Sequence, residues 1–367
     1  MRFFISFTAR KPNQLFMYLK LAFYYFMKYY MQVFIRFFFG RVELVGMKKI
    51  PVGKPIIYSC NHQNAFMDAL IIGAISPVRI TSMTRSDVFD TPLRWFMDAL
   101  QMLPIYRMRD GIEQLAKNEE IFEKIRSLLR DDRAILIFSE GNHGNDHFLR
   151  PLTKGSSRMA LESLEKMPEK DIQIVPVGLN YFHHQRPGNK LTIAFGDPIP
   201  VKDFFPAYQE HNVRGANQLK NAIADGMREC LLIPDETDNY PVQRDRINRY
   251  NERTPFAKLR TQLAEEPEKL KGKKSMPAFQ KIGQMLGVFN FLPLLILQRI
   301  LAPIKDIVFY GSLKYAFGLF VFPLWYLIVF GVAAPFLGLV HAAYLVLGLF
   351  GLLFVRQYLI RWSNPPH

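Results

Sequence analysis

Cysteine is scarce in this chain. Cys60 and Cys230 are the only two in 367 residues, and they stand far apart. That excludes a disulfide framework and a cysteine-based zinc spacing, and it fits a reducing compartment. No cleavable leader is expected either, because no small-residue cleavage site follows the apolar N-terminal stretch. Acidic residues are in deficit: 32 against 47 basic ones, for a net charge of +15. Such a balance suits nucleic acid or an anionic lipid surface. The chain carries no aromatic-basic recognition motif, while 14% of it is aromatic and both ends are apolar. These features favour the membrane over nucleic acid. Residues 315–355 contain no Lys, Arg, Asp or Glu at all.

About 20 residues cross a bilayer. The uncharged run is therefore long enough for two spans, with Pro335 and Gly338 marking a tight turn between them. Lys305 and Lys314 precede it and Arg356 and Arg361 follow it, which predicts both ends on the cytoplasmic side. The run from Leu286 to Gln298 is too short for a plain span and is interrupted by Pro293, so it reads as interfacial or re-entrant. Leu15 to Phe39 is dense in Phe, Tyr, Met and Leu, broken by Lys20, Lys28 and Arg36. Three charges argue against a span. The stretch reads as an aromatic helix lying in the lipid interface, with a helix packed on the core as the competing reading. Arg244 to Lys274 is highly charged and reads as a solvated helical face, or as a contact for anionic head groups beside a membrane.

Between these ends, apolar runs alternate with helical patterns. Gly40–Gly46 reads as an edge strand, and Pro55–Tyr58, Val78–Met83, Ala134–Ile137, Ile172–Val175 and Leu191–Phe195 as further strands. Trp95–Met102, Gly111–Arg130, Lys154–Leu164 and Asp203–Leu232 read as helices. The expected fold is α/β: a mainly parallel sheet covered by helices on both faces, with an N-terminal interfacial helix and a C-terminal transmembrane hairpin. The expected divisions are an interfacial helix over 1–40, an α/β domain over 41–235, a basic polar helical linker over 236–285, and a membrane region over 286–367.

Chemistry concentrates at three strand ends. The first is Ser59-Cys60-Asn61-His62-Gln63-Asn64, followed by Asp68. Six positions separate His62 from Asp68, about 120° out of phase on an ideal helix. The pair meets only if His62 sits in the loop and Asp68 folds back from the first turns of the next helix. A histidine oriented by a carboxylate is a general-base arrangement, although a hydrogen-bonded structural histidine is the commoner meaning of one such pair. The second stretch is Ser139-Glu140-Gly141-Asn142-His143, and the third runs from Ile174 to Tyr181 and ends on Asn180-Tyr181. Loops at the carboxyl ends of parallel strands converge on one crevice. His143 and His147 stand four apart, but Gly144 and Asn145 break the helix that a metal pair would need, so no metal is expected. Lys154 opens a helix and is a candidate anion contact.

In this order the three stretches resemble the glycerolipid acyltransferases, the glycerol-3-phosphate and lysophosphatidate enzymes. The resemblance runs from about Val42 to Pro200. Five residues stand between His62 and Asp68 where the commonest bacterial form has four, and Glu140-Gly141-Asn142-His143 replaces the usual Glu-Gly-Thr-Arg. Both departures look more like the fungal glycerol-3-phosphate branch. The resemblance implies an O-acyltransferase with His62 and Asp68 as catalytic residues and with Asn61, Arg107, Glu140, Gly141 and Lys154 around the acceptor. Arg107 matches the family's arginine block, with Arg85 and Arg109 as possible helpers. It implies a thioester co-substrate, acyl-CoA or acyl carrier protein, no cofactor or metal, a glycerol-phosphate lipid acceptor, and a bilayer partner at the cytoplasmic face of the inner membrane. The expected acceptor is lysophosphatidate, slightly ahead of glycerol-3-phosphate. A lyso-aminolipid acceptor or an inactive lipid-binding homologue are the further alternatives.

Overall fold

A computed structural model describes residues 12–86, 89, 94–106, 117–250, 253–270 and 276–363. Arg107 and Arg109 lie outside the described residues. The chain builds a single sheet from β1 (Arg41–Val45), β2 (Ile56–Cys60), β3 (Ile80–Arg85), β4 (Met102–Ile105), β5 (Ala134–Phe138), β6 (Gln173–Tyr181), β7 (Lys190–Phe195) and the short β8 (Ile199–Pro200). The order is β1-β7-β6-β2-β5-β3-β4, with β8 beside β6. Neighbours from β6 through β4 are all parallel. The sheet as a whole is mixed, because β7 and β8 run antiparallel to β6. The short 182–189 connection returns the chain directly beside β6, and parallel pairing would have needed a longer crossover.

The helices around the sheet are α1 (Pro12–Phe38), α2 (Ala65–Ile75), α3 (Arg94–Ala99), α4 (Lys117–Arg130), α5 (Gly155–Lys166), α6 (Phe205–Glu210), α7 (Asn212–Glu229), α8 (Tyr240–Arg249) and α9 (Phe256–Glu265). Side-chain alternation along β2 feeds two cores. Ile56, Tyr58 and Cys60 join residues of α1 and α2, whereas Ile57 joins residues of α4, α5 and α7. The helix expected over Trp95–Met102 stops at Ala99. Gln101 takes a left-handed φ of 61°, and Met102–Ile105 then pairs with β3. That strand holds Pro104, which is tolerated because β4 is at the sheet edge.

One side of α1 is in the core through Met27, Met31, Ile35 and Phe38, while Leu19, Phe26, Tyr29, Val33 and Phe37 are exposed on the other. Lys28, one of its three charges, is buried and donates to the Ser76 carbonyl at 2.7 Å. That carbonyl is at the C-terminal end of α2, where a cation complements the exposed peptide dipoles. The charged stretch after residue 236 also has a core. Tyr240, Ile247, Phe256, Leu259 and Leu263 pack with Phe182, just after β6, and Ala194 of β7.

The C-terminal region is formed by α10 (Pro277–Leu301), α11 (Val308–Leu337) and α12 (Leu339–Ser363), each long and apolar enough to cross a membrane. Three such helices replace the expected two-helix hairpin with an interfacial run before it. The run around Pro293 is not short, because its helix begins at Pro277. Pro293 falls just after a turn of 3₁₀ helix over Gly287–Asn290, in the first turn of the next helical segment, where a missing N–H costs little. The turn between α11 and α12 is at Gly338, as the breaker pattern predicted. Asn290 ties the three together: its amide donates to the Leu349 carbonyl at 3.0 Å and its oxygen accepts from Tyr326 at 3.2 Å.

The first turns of α11 do not stand apart from the α/β domain. Gly311 packs so closely on the backbone of His184 and the side chain of Asn64 that a Cβ there would lie 2.3 Å from a carbonyl oxygen. Tyr315 is fully buried against Phe34 and Phe38 of α1.

Candidate active site

The loop after β2 and the first turn of α2 form the site. His62 Nδ1 and Asp68 Oδ2 are 2.8 Å apart. The same oxygen accepts the backbone N–H groups of Gln63 and Asn64, each at 2.8 Å. The other oxygen accepts the Tyr181 hydroxyl at 2.6 Å. Asp68 is fully buried, so its carboxylate depends on these donors in place of water. Burial, followed by the Asp68 charge, pushes the Tyr181 hydroxyl well above its ordinary range and keeps it a donor.

A carboxylate can only accept, so the tautomer of His62 is assigned with the proton on Nδ1. Nε2 then presents its lone pair, and it has no hydrogen-bond partner among the described residues. Phe138, the last residue of β5, stacks on the ring at 3.9 Å with planes 12° apart. The imidazole is thus fixed by a hydrogen-bonded carboxylate on one edge and an aromatic ring on one face.

Asn61 and Glu140 hold the loop. The Asn61 side chain donates to the Leu179 carbonyl at 3.0 Å and accepts the Leu179 N–H at 2.7 Å, extending the pairing of β2 and β6 by one side chain. Glu140 accepts the His62 N–H at 2.8 Å and the Arg150 N–H at 3.0 Å. The Arg150 guanidinium donates to Glu140 at 2.6 Å and to the His62 carbonyl at 3.1 Å. His62 is therefore gripped at both backbone groups by one ion pair whose carboxylate is buried, with the Gly144 N–H also on its carbonyl at 3.0 Å. Burial raises the Glu140 carboxyl above its ordinary range, and the charge of Arg150 is the strongest effect opposing it. Gly141 has φ 72°, and a Cβ there would meet the Thr153 methyl at 2.7 Å, so the sharp exit from β5 needs glycine.

Lys154 is exposed at the start of α5, next to Thr153. Asn180 does not join the site: it donates to the Cys230 carbonyl at 2.9 Å and accepts the Leu232 N–H at 2.8 Å, pinning the segment after α7. Val175-Pro176-Val177 lies mid-strand, with Pro176 opposite Ser59 of β2, rather than at the sheet end. Among the described residues, no group of three or more His, Cys, Asp or Glu is placed to hold a metal. His143 stands edge-on to His62 at 5.7 Å and bonds Asp306 at 3.1 Å.

Three contributors escape a motif search. Tyr181 is 113 residues from Asp68 and Arg150 is 88 from His62. Ser312 of α11 hydrogen-bonds the Asn64 carbonyl and accepts the Met67 N–H at 3.3 Å. Only Tyr181 was signalled, as the last residue of the third stretch.

Residues 41–180, which hold His62, Asp68, Glu140 and Arg150 but neither Tyr181 nor Ser312, match the family model described as Acyltransferase. This part of the chain is similar to the acyltransferase family. Glycerol-3-phosphate O-acyltransferase 1 of Saccharomyces cerevisiae is 30% identical over 155 residues, which cover 41% of this chain and 20% of the yeast protein. The 1-acyl-sn-glycerol-3-phosphate acyltransferase of Cocos nucifera is 28% identical over 150 residues, 41% of this chain and 45% of the plant protein. The chain thus spans less than half the length of these relatives. Among solved structures, the 1-acyl-sn-glycerophosphate acyltransferase PlsC of Thermotoga maritima aligns with a TM-score of 0.43 at 18% identity, covering 61% of this chain and 84% of that one.

Proposed function

We propose that this acyltransferase is membrane-bound and moves a fatty acyl group from a thioester donor to the hydroxyl of a glycerol-phosphate acceptor. The observation that carries the reading is the unpaired Nε2 of His62, opposite an Nδ1 held 2.8 Å from Asp68. Nε2 takes the proton of the acceptor hydroxyl while the oxygen attacks the thioester carbonyl. Asp68 stabilises the imidazolium that forms, as in a Ser-His-Asp triad whose nucleophile belongs to the substrate. The tetrahedral intermediate collapses, the C–S bond breaks, and the thiolate recovers the proton from Nε2. Arg107 supplies the guanidinium for the acceptor's phosphate, with Lys154 at the helix start as an outer contact. Asn61, Glu140 and Gly141 shape the loop that the acceptor meets.

The bilayer is the second partner. Three apolar helices and the exposed aromatic side of α1 suit a protein anchored in lipid, with α1 lying in the interface. The catalytic domain is assigned to the cytoplasmic face of the inner membrane. Lysophosphatidate is one acceptor and glycerol-3-phosphate the other. The match to a yeast glycerol-3-phosphate enzyme at 30% identity favours the second. The test is purified protein in detergent, offered labelled acyl-CoA and acyl carrier protein donors against glycerol-3-phosphate, lysophosphatidate and phosphate-free lyso-lipids. Transfer to a phosphate-bearing acceptor supports the reading. Transfer only to phosphate-free acceptors, or none, refutes it.

A further inference from the structure

A cavity of about 590 Å³ opens beside the site, lined mostly by residues outside the segment that matches the family. Its wall is α8, through Tyr240, Arg244 and Asn248, and its opposite side is His183 and His184 after β6, with Asn145. Two charged side chains line it. Asp245 is taken by Arg249 at 2.8 Å. Arg244 has no hydrogen-bond or ion-pair partner among the described residues. His184 and the neighbouring His147 do not add charge, because burial drives both rings well below their ordinary range and Arg244 reinforces this. The cavity therefore holds one free guanidinium, beside a carboxylate already paired with Arg249 and a set of hydrogen-bonding side chains. That combination is suited to an oxyanion, which a guanidinium grips with parallel donors.

Position selects the anion. His184 Nε2 meets the Gln63 side-chain oxygen at 3.1 Å, and Gln63 Nε2 donates to the Asp146 carbonyl at 2.6 Å. This pair stands between the cavity and the loop of His62. The phosphate of a glycerol-phosphate acceptor is only a few bonds from its reacting hydroxyl and must stay close to Nε2. A phosphate at the far end of a long arm has the reach to occupy a cavity one side-chain layer away. We propose that Arg244 anchors a phosphate subsite for the acyl donor, binding the phosphopantetheine phosphate common to coenzyme A and acyl carrier protein. This rests on the acyl-transfer reading above, and its test separates the two.

Full-length wild type and Arg244→Gln are compared in detergent. Binding of coenzyme A and of phosphopantetheinylated carrier protein is measured by calorimetry, without turnover. KM is then measured for each acyl donor, for acyl-pantetheine lacking the phosphate, and for the acceptor. Losing one charged hydrogen-bond partner predicts a roughly tenfold to hundredfold weaker donor. The expected result is that loss for the phosphorylated donors in the variant, with acyl-pantetheine and acceptor KM unchanged and Arg244→Lys partly restored. Equal donor KM in wild type and variant overturns the proposal. A rise in acceptor KM alone also overturns it, by making the anion the acceptor's. If wild type transfers no acyl group yet binds the carrier through Arg244, the subsite stands and the acyl-transfer reading fails.

Discussion

Ser312, in the first turns of α11, hydrogen-bonds the carbonyl of Asn64 across 248 residues of sequence. Its oxygen also takes the Met67 N–H, one residue before Asp68. A helix apolar enough to cross the membrane is therefore bolted to the turn that aims the His62–Asp68 pair. Removal of the hydroxyl in Ser312→Ala takes one bond from each of these groups, but the Met67 N–H still meets the Asn64 carbonyl at 3.0 Å, so the loss is that of ordinary hydrogen bonding, about 0.5–1.5 kcal/mol. The expected outcome is a lower unfolding temperature in detergent and a several-fold loss of turnover with acceptor KM nearly constant. Thermal unfolding and initial rates check it.

The Glu140–Arg150 pair predicts an asymmetry. Arg150→Ala leaves a buried carboxylate without its counter-ion and the His62 carbonyl with only the Gly144 N–H at 3.0 Å, for a loss of about 3–5 kcal/mol. Glu140→Gln keeps an acceptor for the His62 N–H and should cost clearly less. Arg150→Lys should rescue in part, because a single terminal nitrogen, Nη2, now serves the Glu140, His62 and Asn142 oxygens, and an ammonium also carries three donors. Denaturant unfolding of the three variants ranks them.

Stability should fall in mild acid. Burial holds His147 down to about 3, against an ordinary value near 6.5. Below pH 6.5 the unfolded chain binds a proton that the folded chain does not, so the unfolded state gains and stability rises with pH in this window. At pH 5 this one residue costs about 2 kcal/mol relative to pH 7. His184, driven down for the same reason, adds to the effect. Unfolding temperatures at pH 7 and pH 5 should differ by several degrees, and His147→Gln should narrow the gap.

Arg107→Ala should raise KM for a phosphate-bearing acceptor by about tenfold to hundredfold and spare the donor KM. Together with Arg244→Gln, which should do the reverse, it assigns one guanidinium to each substrate. Steady-state kinetics with both substrates varied separates the two.

What was legible in the sequence is what is local. His62 and Asp68 are six residues apart on a loop and a helix start, so their meeting followed from strand-then-helix order and helical phase. β2, β5 and β6 were readable because each is a short apolar run buried on both sides. The rest depends on distant partners. Nothing near Tyr181, Arg150 or Ser312 says that they close on residues 88 to 248 positions away. The strand Met102–Ile105 was hidden because Pro104 argues against a strand anywhere but an edge, and edge position is a property of the sheet. α10 was undercounted because its N-terminal turns carry Gln280, Lys281 and Gln284, which dilute an apolar run without ending the helix.

The most direct measurement concerns the proton. His62→Ala and Asp68→Asn are assayed for transfer from labelled donor to glycerol-phosphate acceptor, with unfolding curves taken on the same preparations. Loss of the base predicts a fall of about 10²–10⁴-fold or more in His62→Ala. Asp68→Asn should approach the roughly 10⁴-fold drop that the equivalent change produces in a serine protease triad, where the wrong tautomer is left facing the nucleophile. Donor binding and the folded state should persist in His62→Ala. A folded His62→Ala protein that transfers acyl groups at near the wild-type rate would contradict the account.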